Sequence, residues 1–192
     1  MAKKQEFRPD KPKSSLLSHL VLTKQQQKTL LKWVFYTLLL IFISVVQDVL
    51  LSQVRILGAT TELIPCAIFL ICLLEGAQTG SLFTLIASLL YLFSGTAPGA
   101  YSMVAITFYG IGVCIFRQAY LQETFSSALL CTTIAMLLYV ATNFLFGLFL
   151  GLTPLSRFYG FFITAGLTLL SVPILYPVMK AIGAFGGYQW KE

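Results

Sequence analysis

Asp48, beside Gln47, is the carboxylate that falls well inside an apolar stretch of the chain. A charge at membrane depth is costly and is a functional candidate by default. Three roles are open to it: a structural ion pair with Arg55 or Arg157, a ligand or partner contact, and a proton relay. A relay calls for a second buried ionisable group, and none is evident along the sequence, so the ion pair comes first. Nucleophilic catalysis needs a Ser, Thr or Cys beside an activating base. The single histidine, His19, lies in a basic arm, far from any acid in the apolar body. There is no glycine-rich phosphate loop and no pair of carboxylates on one helix face. Cys66, Cys72, Cys114 and Cys131 sit in apolar segments without His or acid at metal-ligand spacing, as small hydrophobes do. The expectation is a protein without catalytic, metal or cofactor sites.

The elements that must hold these residues are membrane helices. Hydrophobic residues make up 57% of the 192 and charged ones 10%, against roughly 45–50% and 25% in soluble domains. Lys3, Lys4, Arg8, Lys11, Lys13, Lys24, Lys28 and Lys32 crowd the N-terminus, and the chain is nearly continuously apolar from Trp33. Such a basic head reads as cytoplasmic. It suits anionic headgroups rather than nucleic acid. The polar residues that precede the first apolar stretch argue against a secretory signal peptide.

Two units follow: a basic cytoplasmic arm over 1–32, partly disordered or an interfacial helix, and a six-helix transmembrane domain over 33–192. The spans are expected at Trp33–Val54, Leu63–Leu74, Ala77–Phe93, from the Ser94–Gly99 break to Arg117, Ser126–Leu150, and from Thr153 to Ile182. Thr96 with Pro98, and Thr153 with Pro154, each pair a capping residue with a first-turn proline. Glu75 and Gly76 mark a tight turn. The fold class is thus all-α, with both termini cytoplasmic. Eleven of the thirteen cations then lie inside, leaving Arg55 and Arg157 outside. The second span is the short one, since twelve residues reach only about 18 Å.

Small residues recur at helical spacing. Gly80, Thr84 and Ser88 mark one stripe, Gly147 and Gly151 another, and Gly160 with Thr164 a third. Such stripes let helices approach closely in a bilayer, within the chain or against a partner. Asn143 is expected to hydrogen-bond between helices. Pro173 and Pro177 should kink the last span.

The stretch Gly80 to Tyr109, GSLFTLIASLLYLFSGTAPGAYSMVAITFY, resembles the central signature of the MreD family of rod shape-determining proteins. Ser94, Gly95, Thr96, Gly99 and Tyr101 carry the match. The run Thr164 to Lys180 is similar to the family's last helix. Tyr91 replaces the family's acidic residue, Ser88 its glycine, and Pro98 stands where Leu is usual. The resemblance implies a non-enzymatic scaffold of the bacterial cell-elongation machinery in the cytoplasmic membrane. Its partners would be MreC and, through it, MreB, RodA and a class B penicillin-binding protein. The family's fold is similar to the substrate-binding component of energy-coupling-factor vitamin transporters, which is the alternative. The small residues Ser44 and Ser52 of the first span do not form the stripe with which such a component docks its energising module.

Overall fold

The computed structural model describes residues 24–51, 53, 59–95, 97–120 and 124–185. Arg55, Thr96 and most of the basic arm lie outside them. The described chain is helical: α1 (Lys24–Val46), a π-helical turn (Gln47–Leu51), α2 (Leu63–Glu75), α3 (Ala77–Phe93), α4 (Ala100–Tyr120), α5 (Phe125–Phe149), a 3-10 turn (Leu155–Arg157), α6 (Phe158–Leu169) and α7 (Val172–Phe185). Gln26–Leu51, Ala100–Gln118 and Phe125–Phe149 are each long and apolar enough to cross a membrane. The 3-10 turn with α6, and α7 beyond it, form a pair bent by 47° that makes a fourth candidate. The shorter α2 and α3 are also apolar. Helix length and composition together make this an integral membrane protein.

α2 is the axis of the bundle. Its 13 residues carry no polar face, and every residue from Ile64 to Leu74 is buried. A helix that is hydrophobic all round needs neighbours on every side. α2 gets them from α1, α3, α4, α5, α6 and α7. Pro65 falls in its first turn, where a missing N–H leaves no bond unmade. At the other end the chain reverses through one residue, Gly76, at φ +86°.

The Gly80–Thr84–Ser88 stripe is the seam that zips α3 onto α2 and α4. A Cβ on Gly80 would lie 3.0 Å from Cys114 Sγ, and one on Gly110 would lie 2.5 Å from Thr84 Cγ2. Ser88 Oγ is 2.9 Å from Thr107 Oγ1. The pairings 80 with 114, 84 with 110 and 88 with 107 are those of an antiparallel hairpin.

Five local expectations need correction. Gly151 is no packing glycine: at φ +69° it ends α5, and the Leu152 and Thr153 amides donate to Gly147 O. Gly147 packs instead on Thr153, whose Oγ1 lies 2.6 Å from where a Cβ would stand. Gly160 faces open space. Thr153 therefore closes the end of α5, and Pro154 precedes only the 3-10 turn before α6 begins at Phe158. The expected last span is interrupted at Leu170–Ser171, ahead of Pro173. Pro173 has no N–H for the Leu169 carbonyl and its ring crowds that carbonyl, so the helix restarts at an angle from Ser171, whose carbonyl accepts from the Ile174 and Leu175 amides. The first helix starts at Lys24, so Lys28 and Lys32 belong to it rather than to a separate arm.

Candidate functional site

At about 1.5 Å per residue α2 covers only about 20 Å, less than a bilayer core of about 30 Å. Each of its ends carries a glutamate whose side chain is held inside the protein. The two ends solve that problem differently.

At the Glu75 end, Lys32 turns inward from α1 and its Nζ lies 2.5 Å from Glu75 Oε2. The Tyr36 hydroxyl, also on α1, is 2.9 Å from Glu75 Oε1 and 3.3 Å from Met179 O of α7. It donates to one of the two at a time. Lys32 and Tyr36 are both buried. The ammonium also lies 5.3 Å from the centre of the Trp33 ring, in cation–π range. A Cβ on Gly76 would come within 2.6 Å of Arg117 Nη1, so glycine lets a second cation approach this turn. This end is a charge-compensated clamp tying α1, α2 and α7.

At the Glu62 end the residues are oxygen-rich. Glu62 is the residue before α2, and its amide donates to Thr168 Oγ1 at 3.0 Å. Gln47, in the π turn, accepts from the Ile64 amide at 3.1 Å through Oε1 and so caps the first turn of α2. Tyr91 of α3 is buried and feels the charges of Glu62 and Asp48, as well as the Gln47 side chain. Tyr139 of α5 is fully buried and interacts with Glu62, Tyr91 and Asn143. Glu62 Oε2, the Tyr139 hydroxyl and Asn143 Oδ1 are sealed from solvent, and Tyr139 lies within hydrogen-bonding reach of both Glu62 and Asn143. Burial pushes the Glu62 carboxyl up to about 7, partly countered by Tyr139.

Two breaks in regular helix meet here. The π turn supplies Gln47 and Asp48, and Thr168 lies just ahead of the α6–α7 bend. π turns concentrate at functional sites, and interrupted membrane helices line binding sites.

The expected site residues distribute between these ends. Asp48 is half-buried, with Oδ1 sealed, and faces the Glu62 cluster through Tyr91. Arg157 is exposed on its 3-10 turn. Among the described residues the ion pair formed is Lys32–Glu75 and not Asp48–Arg157. Arg55 and Thr96 lie outside the described residues. Ser94 ends α3, its hydroxyl donating to Tyr91 O at 2.7 Å. Gly95 sits at φ +75°, and Pro98 is exposed ahead of α4. Gly99 O accepts from the Ser102 amide at 3.0 Å in the opening turn of α4. Tyr101 stacks on Phe146 at 5.8 Å and feels the Glu62 charge. Asn143 is buried and interacts with Tyr139 one turn earlier on the same helix, so the contact shown for it lies within α5 and not between helices.

Sequence reasoning missed Lys32, Tyr36, Glu62 and Tyr139, and treated Tyr91 only as a departure from a motif. The signal that could have found Glu62 is the shortness of the second span. A segment shorter than the bilayer core places its flanking charges inside the protein.

No family model matches the chain, and no curated protein or solved structure does so.

Proposed function

We propose that this protein is a non-enzymatic membrane scaffold of the MreD type, acting in bacterial cell elongation and lateral peptidoglycan synthesis. In this reading the chain crosses the cytoplasmic membrane six times, with α6 and α7 forming one broken span. Both termini and the Glu75 end of α2 face the cytoplasm, where Lys28, Arg117 and Lys180 also lie. MreC docks on the bundle and links it to MreB, RodA and a class B penicillin-binding protein.

The observation that carries the reading is the α3–α4 hairpin. The stretch that resembles the family signature, Gly80 to Tyr109, forms a single antiparallel unit closed by small residues, with Ser94, Gly95 and Gly99 in its turn. Around it the outward faces are apolar: Val34, Leu38, Phe42 and Val45 on α1, and Val104 and Phe108 on α4, are exposed. Outward apolar faces of this kind are compatible with lateral contact between helices in a bilayer. Purification of the tagged chain from membranes tests this. Recovery of MreC and RodA supports the scaffold, and their absence under conditions that keep other membrane complexes intact rejects it.

One observation favours the transporter-component alternative: the sealed oxygens of the Glu62 end resemble the polar lining of a ligand site more than lipid-facing surface. Copurification of an ATPase module or a bound vitamin would establish that alternative instead.

A further inference from the structure

We propose that Cys72 and Cys114 form a redox-active dithiol that closes to a disulfide between α2 and α4 when an apolar hydroperoxide oxidises it. The proposal does not depend on the scaffold reading. Its basis is that each sulfur is turned toward the other's helix. Cys72 Sγ lies 3.4 Å from where a Cβ on Gly110 of α4 would stand. Cys114 Sγ, one turn further along α4, lies 3.6 Å from Cys72 O. The Cβ position of Gly80 is 3.0 Å from Cys114 Sγ and 3.4 Å from the Cys72 Cα, so that sulfur stands against the Cys72 backbone. The two thiols are within hydrogen-bonding reach of each other, and both are free. Helices approach this closely where small residues stand at the contact.

Thr84 holds the reduced form. Its hydroxyl donates to Gly80 O at 2.8 Å, leaving its oxygen to accept from Cys72 Sγ at 2.5 Å. Rotation about the Cys72 Cα–Cβ bond exchanges that contact for one with Cys114. Both cysteines are 0% exposed, which keeps out bulky and charged reagents. Gly80 and Gly110 border the pair, so the seam opens there without a large side chain withdrawing from either position. A hydroperoxide dissolved in the bilayer is the oxidant that suits such a site. Arg117 follows Cys114 by three residues on the same face of α4, and its guanidinium reaches Gly76 at the end of α2. The attacking form of a thiol is the thiolate, which a neighbouring cation supports. The Cys114 sulfur takes the terminal peroxide oxygen, the O–O bond breaks, and an alcohol leaves with the thiol's proton. The Cys72 sulfur then attacks the resulting sulfenic acid, and hydroxide departs with the Cys72 proton as water. Two thiols are oxidised to one disulfide, and the hydroperoxide is reduced to alcohol and water.

The test is oxidation of the full chain in lipid nanodiscs with cumene hydroperoxide, followed by unfolding and a count of thiols with a maleimide. The reduced chain carries four thiols. Oxidation should leave two, dithiothreitol should restore four, and a proteolytic digest should yield the Cys72–Cys114 cross-linked peptide. Cys114→Ala should retain all three of its thiols, and Cys66→Ala should still lose two. Should Cys114→Ala fail to fold, Cys72→Ser replaces it, and the digest of the wild type needs no variant. Four thiols after oxidation would overturn the proposal, as would a loss that dithiothreitol does not reverse. A cross-link through Cys66 or Cys131, or one between two chains, would overturn the pairing.

Discussion

The two ends of α2 hold the same residue type at comparable burial and treat it in opposite ways. Glu75 meets an ammonium and a phenol and is neutralised where it stands. Glu62 meets the Tyr139 phenol and acts on Tyr91 and Tyr101 through its charge. One end is closed by the chain's own cation and can only hold helices together. The other is surrounded by phenols and neutral oxygens, and burial pushes its carboxyl toward the protonated form. An acid at the tip of a short apolar helix is thus paired or protonated according to what the surrounding helices bring to it.

Removing Glu75 should do the most damage. Glu75→Ala strands a buried ammonium and should cost about 3–5 kcal/mol, measured as loss of stability in denaturant. The double change Lys32→Met with Glu75→Leu should recover most of that loss. If the single change costs no more than a surface substitution, the clamp assignment fails.

Glu62 should give the opposite signature. Its carboxyl releases a proton near 4.5 in the unfolded chain and near 7 in the folded one. Between those values the folded state binds more protons, so stability is full below the lower value and falls as pH rises through the upper. The total fall should be on the order of 3 kcal/mol. Glu62→Gln should flatten the profile, and a slope that survives it assigns the titration to another group.

The turn glycines sharpen the contrast. Gly76→Ala forces a left-handed residue onto the Arg117 guanidinium and should cost about 2 kcal/mol. Gly95→Ala, also left-handed but with nothing within 4 Å, should cost about 1 kcal/mol. Equal losses would mean that the approach of Arg117 contributes nothing. The smallest effect belongs to Arg157→Ala, exposed and away from both ends, at within about 0.5 kcal/mol in the same assay.

Much of the helix plan is legible in the sequence, because a membrane helix announces itself by local apolar content. Ala77–Phe93 falls at its expected bounds, and the second and fifth helices within a residue of theirs. The Gly80–Thr84–Ser88 stripe packs within the chain, one of the two roles open to it. Gly151 misled because a four-residue spacing is shared by helix seams and helix ends, and only φ separates them. Lys32 misled because its neighbours in sequence are other lysines, while its neighbour in space lies 43 positions on.

By itself the sequence determined the class of solvent, the helices and the scarcity of reactive groups, since each follows from residue type and local spacing. Only the tertiary structure decided which acid is neutralised and which is left among oxygens. That outcome depends on the side chains that six other helices bring to the ends of α2, and distance in space is not written in the order of residues.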